Sequence, residues 1–188
     1  MFIQKDNLVI RDATQADAHI LGNWWRDGAI MAHAGFPHGL DVSDEEIASS
    51  LSTDADDTRR RLIIEADGKP IGEMSYSNKG NRVAEIGIKI CDSTMQGRGY
   101  GTRLLCMLID VLFYEQRYEK IILDTNLENT RAQHVYEKIG FRKVSISHNS
   151  WKDQLGRPQS SVEYELTETD YVNQSAPHDA PRKSRANC

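Results

Sequence analysis

The stretch from Ala84 to Met107 constrains this chain more than any other, because it joins an alternating strand to an amphipathic helix through a glycine-rich turn. Ala84, Ile86, Ile88 and Ile90 fall on one face of an extended segment ending at Cys91, and Glu85, Gly87 and Lys89 fall on the other. Beyond the turn, Leu104, Leu105, Leu108, Val111 and Leu112 recur at helical spacing and form one core-facing stripe. Between them lies Gln96-Gly97-Arg98-Gly99-Tyr100-Gly101-Thr102. Its glycines let the backbone turn sharply and carry N–H groups up to a ligand with no Cβ in the way. The following helix aims its positive end at the same place. That combination is a phosphate seat.

Spacing excludes two common occupants. A Rossmann fingerprint needs a third glycine at Thr102 or Leu104, depending on which glycine begins the count, and neither position is glycine. A Walker A loop needs Gly-Lys-Ser/Thr after the turn, and none follows. An excess of 28 acidic over 23 basic residues, net charge −5, argues against a nucleic-acid partner and suits a neutral or cationic one. Cys91, Cys106 and Cys188 have no CxxC spacing, so neither a disulfide framework nor a zinc site is expected, and the expected setting is cytoplasmic. His33 and His38 have no metal-type neighbours, so no metal is expected. The first residues lack an apolar targeting core, and no run approaches the roughly 18 apolar residues of a membrane span, so no membrane partner is expected.

Around this centre, Leu8-Val9-Ile10-Arg11 reads as a first strand, and Thr14 can cap a helix carrying Ile20, Leu21, Trp24 and Trp25. Ser43 and Glu46 have capping-box spacing for a second helix bearing Ile47 and Leu51. Arg61 to Glu65 and Ile71 to Tyr76 flank Asp67-Gly68, a tight-hairpin dipeptide. Ile121 to Asp124 is a further strand, and Asn129 can cap a helix that Gly140 ends. Phe141 to Ser147 and Ser161 to Leu166 read as two final strands. Residues 1–171 are expected to form one domain, while the polar tail 172–188 lacks apolar periodicity and is expected to be disordered.

The chain resembles the GNAT superfamily of acyl-coenzyme A dependent N-acetyltransferases. The family's loop, Gln/Arg-x-x-Gly-x-Gly/Ala, is met at every defined position by Gln96-Gly97-Arg98-Gly99-Tyr100-Gly101. Its second signature, Asn with Arg-Ala, a Tyr and Gly-Phe, is met by Asn129, Arg131-Ala132, Tyr136 and Gly140-Phe141. The Ala84-Glu85-Ile86-Gly87 strand followed by Gly99-Tyr100-Gly101-Thr102 looks most like the branch that includes the ribosomal-protein alanine N-acetyltransferases. The expected fold is α/β (α+β), with a mixed, mostly antiparallel sheet of about six or seven strands flanked by helices. The expected order is strand, two helices, three strands, helix, strand, helix, two strands.

The resemblance implies acetyl-CoA as co-substrate and acetyl transfer to a primary amine of a small molecule or a protein N-terminus, by direct attack in a ternary complex. Within a cofactor-binding loop from Gln96 to Thr102, the N–H groups from Arg98 to Thr102 would cradle the pyrophosphate. Arg98 either adds a charge-assisted contact or merely solvates the loop. Ile88 and Ile90 would offer backbone groups to the pantetheine arm, as would Asn129, whose capping role is compatible with that. Tyr136 matches the family's general acid toward the departing thiolate, and helical spacing equally suits a core aromatic. Glu85 is the expected base and Glu73 the runner-up, with a merely solvated strand face as the bland alternative. The segment from Asp41 to Asp57 carries seven acidic residues and no basic one, either a solvated face or a field for a cationic amine. A coenzyme A binding module without catalysis is the alternative of another class. Oligomeric state stays open, a homodimer included.

Overall fold

A computed structural model describes residues 1–171, so the expectation for the tail lies outside the described residues. Eight strands form one sheet: β1 (Phe2–Lys5), β2 (Leu8–Asp12), β3 (Arg59–Ala66), β4 (Lys69–Asn78), β5 (Val83–Ile90), β6 (Lys120–Asn126), β7 (Arg142–Lys152) and β8 (Pro158–Thr167). Their spatial order is β1-β2-β3-β4-β5-β6-β8-β7, antiparallel except where β5 meets β6. Five α-helices accompany them: α1 (Ala18–Arg26), α2 (Gly28–Met31), α3 (Asp44–Leu51), α4 (Tyr100–Asp110) and α5 (Thr130–Ile139). The mixed, mostly antiparallel architecture is the expected one.

The local signals work as read. Ser43 Oγ accepts from the Glu46 N–H while the Glu46 carboxylate accepts from the Ser43 N–H, closing the capping box of α3. Asn129 Oδ1 accepts from the Ala132 N–H at 3.2 Å to start α5, and Gly140, at φ 113°, ends it. Two details differ. Thr14 opens a short 3₁₀ turn, and α1 begins only at Ala18. Strand β1 was not expected, because Phe2, Gln4 and Lys5 are exposed and give no period-two pattern. It is held by its backbone ladder to β2, which composition does not reveal.

The sheet separates two apolar layers. On one face Leu62, Ile64, Met74, Tyr76, Ala84 and Ile86 pack with Leu104, Leu105, Leu108 and Leu112. On the other, Ile63 meets Ala18, Leu21, Ile47 and Leu51 of α1 and α3. Truncating a wholly buried residue such as Ile63 to alanine costs roughly 2–5 kcal/mol. Arg61 secures the chain leaving α3: its guanidinium and backbone N–H donate to Asp54, and its Nη1 donates to Ser50 Oγ. Burial pushes the Asp54 carboxyl up, but the hydrogen bonds from Arg61 outweigh it and hold that carboxyl below its usual range.

Strands β5 and β6 pair in parallel only at Val83–Lys120, Ala84–Ile121 and Glu85–Ile122. Beyond Glu85, β5 stays with β4 as far as Ile90 while β6 continues with β8 to Asn126. The two strands therefore part beyond Glu85, leaving a cleft between them, and β5 delivers the chain toward the glycine turn.

Candidate active site

The turn holds Gly97 at φ 77° and Gly99 at φ 79°, both in the left-handed region that side chains with a Cβ resist. Gly99 is the N-cap of α4 and supplies no side-chain cap, so the first N–H groups of that helix lack a side-chain partner. Exposed donors at the positive end of a helix are what a phosphate requires. Arg98 is exposed beside them. Gln96 closes the far end: its Nε2 donates to the Ile90 carbonyl at 2.9 Å, and its Oε1 accepts from Arg131 at 3.1 Å.

The edge of β5 completes this side. The Cys91 N–H donates to the Ile71 carbonyl, so the backbone at Cys91 faces β4. Strand alternation therefore turns the N–H and C=O groups of Ile88 and Ile90 to the opposite edge, where β6 has departed. The Cys91 thiol is buried and pushed up to about 12 by loss of hydration, which makes it inert as a nucleophile.

Tyr136 is 7% exposed and packs edge-on against Phe141 and Tyr164, with ring centroids 5.9 and 5.7 Å away. Its hydroxyl makes no hydrogen bond among the described residues. Burial, with the nearby charge of Asp124 second, pushes it up to about 12. It stays protonated as a result. Asn129, besides capping α5, turns its Nδ2 to Thr125 Oγ1 on β6 at 3.3 Å.

On the sheet face opposite α4, a cavity of about 500 Å³ is lined by Trp25, Met31 and Leu40 from the helical layer, and by Arg59, Glu73, Lys89 and their strand neighbours. Trp25 Nε1 donates to both Glu73 oxygens at 3.0 Å, and Lys89 Nζ donates to Glu73 Oε1 at 3.0 Å and approaches Met31 Sδ equally closely. Glu73 and Lys89 are directly opposite on β4 and β5, which is why they pair. Glu85 lies outside this cavity, at the last parallel pair, bonded to Lys79 at 3.2 Å. It shares its face with Asp124 on β6 and Glu163 on β8. Desolvation, then the charges of Glu85 and Glu163, hold the Asp124 carboxyl above its usual range. Asp124 carried no signal in the sequence, since its setting comes from three strands.

Four of the seven acids between Asp41 and Asp57 have structural partners. Asp44 pairs with Arg26 and His19, Glu46 caps α3, Asp54 holds Arg61 and Asp56 holds Arg60. No residue between Asp41 and Asp57 lines the cavity. His33, Phe36 and His38 do not line it either. Their loop is instead pinned by the tip of the β7–β8 hairpin. Gln154 donates its N–H to the Gly35 carbonyl and its Nε2 to the Gly39 carbonyl, while its Oε1 accepts from the His38 N–H. A Cβ on Gly35 would lie 2.4 Å from the Trp151 ring, so glycine is needed for that approach.

A family of acetyltransferase (GNAT) domains matches residues 7–142 of this chain. The chain belongs to the GNAT family. Spermidine N(1)-acetyltransferase of Escherichia coli K12 is 35% identical over 88 residues, 46% of this GNAT chain and 47% of that protein. The chain thus matches about half the length of that relative. Spermidine N(1)-acetyltransferase of Vibrio cholerae is 32% identical over 172 residues, covering 89% of this chain and 97% of the relative. A crystal structure of the Vibrio cholerae spermidine N-acetyltransferase in complex with CoA and spermine superimposes with a TM-score of 0.79 at 25% identity, covering 90% of this chain and 100% of that one.

Proposed function

We propose that this GNAT domain, residues 1–171, transfers an acetyl group from acetyl-CoA to a primary amine within a ternary complex. One observation carries the reading. The cleft between β5 and β6 opens onto the uncapped N-terminal turn of α4, with the partnerless Tyr136 hydroxyl on the helix that follows β6. Acetyl-CoA supplies the activated acyl group as a thioester. The chain supplies the rest.

Backbone N–H groups from Gly97 to Thr102 hold the pyrophosphate, with Arg98 as the exposed cation at the same turn. The edge at Ile88 and the Ile90 N–H, the Ile90 carbonyl being taken by Gln96, pairs with the amide-bearing arm as a strand would, and a donor there stabilises oxygen charge during attack. The amine must lose a proton. We assign Glu85 as the acceptor together with Asp124, whose raised carboxyl takes a proton more readily than an ordinary one. Tyr136, kept protonated by burial, donates to the departing thiolate. Relatives named for spermidine favour a small-molecule amine over the ribosomal-protein alanine branch that the loop suggested.

The test is release of free thiol from acetyl-CoA against a broad panel of amines. Amine-dependent release supports transfer. A melting temperature raised by acetyl-CoA, with no amine releasing thiol, identifies a binding module instead.

A further inference from the structure

The cavity beside the cleft is lined by three cationic side chains, Arg59, Arg61 and Lys89, against one carboxylate, Glu73. Arg61 is committed to Asp54, with side chains 9% and 6% exposed, and Lys89 and Glu73 are committed to each other. The Arg59 side chain has no hydrogen bond and no ion pair among the described residues, its charge acting on the Asp54 carboxyl from a distance, and the residue is exposed at the start of β3. Trp25, Met31 and Leu40 line the cavity from the helical layer, with Ser75 and Gly87 from the sheet; Met74 and Ile88, also at its wall, belong to the core on the α4 face.

A polycation entering this space meets a single carboxylate that already has a cation and an indole N–H on it. Of the acids of residues 41–57 none lines the cavity: Asp44 and Asp56 pair with Arg26 and Arg60, Glu46 caps α3, and Asp54 neutralises Arg61 at the cavity wall. An anionic group meets an unpaired guanidinium, the side chain best shaped to grip a carboxylate with two parallel hydrogen bonds. We propose that the acceptor is an amine that also bears a carboxylate on an apolar body, an amino-acid-like compound rather than a polyamine. Arg59 holds the carboxylate, and Trp25, Met31 and Leu40 surround the body. The proposal rests on the transfer reading above and adds the acceptor class to it.

Matched pairs test it. Thiol release from acetyl-CoA is measured with phenylalanine against phenethylamine and leucine against isoamylamine, with spermidine and an aminoglycoside as polycations. Melting of the CoA-bound protein is followed with the same compounds. The expected result is a kcat/KM for each amino acid at least about tenfold above its decarboxylated twin and above both polycations. Arg59→Gln closes that gap through KM. The proposal is overturned if spermidine or the aminoglycoside outpaces every amino acid, or if the gap survives Arg59→Gln. Amino acids that raise the melting temperature without any thiol release sink the transfer reading and leave the acceptor class standing. Turnover confined to polycations does the reverse, and neither binding nor turnover removes both.

Discussion

Replacing Gly99 and Gly101 by alanine, one at a time, separates the conformational demand of the glycine turn from its function. At Gly99 an added Cβ meets nothing within 4 Å, so the penalty there is purely that of φ 79°. A left-handed conformation costs an alanine about 1–2 kcal/mol. Gly101 is different: it lies in the first turn of α4, and its Cβ would sit 3.7 Å from Ile90 Cδ1, an ordinary contact. Alanine is better than glycine in a helix by up to about 1 kcal/mol. The two variants should therefore differ by about 2 kcal/mol, and at ~2–4 °C per kcal/mol for a chain of this size their melting midpoints should separate by roughly 4–8 °C. Gly101→Ala is expected to melt above the parent and bind CoA within about threefold of it. Gly99→Ala is expected to melt below and lose roughly tenfold or more in CoA affinity, because relaxing φ swings the N–H groups of Tyr100 and Gly101 out of alignment. Calorimetric melts with and without CoA, and a CoA titration, read both. Melts that move together, or a Gly99→Ala protein with unchanged CoA affinity, refute the reasoning.

Tyr136→Phe removes only the partnerless hydroxyl, so kcat should fall roughly a hundredfold while CoA affinity is kept; unchanged turnover dismisses the general-acid role. Glu85→Gln and Asp124→Asn should each alter the acidic limb of the pH–rate profile, and a profile untouched by both transfers the base to Glu73. Asp54→Ala strands the Arg61 guanidinium in a buried site and should cost about 3–5 kcal/mol by denaturant unfolding. Because the folded Asp54 carboxyl lies below its unfolded value of about 3.9, its contribution is complete above that value and fades as pH falls through the folded one. The stability gap between parent and variant should narrow only in strong acid.

The donor side was legible because its signals are local. A period of two from Ala84 to Cys91, glycines at left-handed positions and an asparagine cap each act within a few residues of themselves. The wall on the other side of the sheet was not legible. Its pairs join residues far apart: Trp25 with Glu73, Arg59 at the edge of a cavity built from three segments, Gln154 with the loop at Gly35. The acidic run was ambiguous for the same reason. Its composition left a solvated face and a field both open, because which arginine a carboxylate meets is decided by β3 and α1, not by the run itself.

The Gln154 clamp gives the molecule a division of labour along its length. The seat we propose for the donor is built between Ile88 and Asn129, whereas the loop between Met31 and Leu40, two residues that line the cavity we propose for the acceptor, is anchored by a hairpin tip more than a hundred residues downstream. Changes at that tip, in sequence or in length, can reshape what the enzyme accepts while leaving what it gives untouched, so one half of the site is free to diversify without endangering the other.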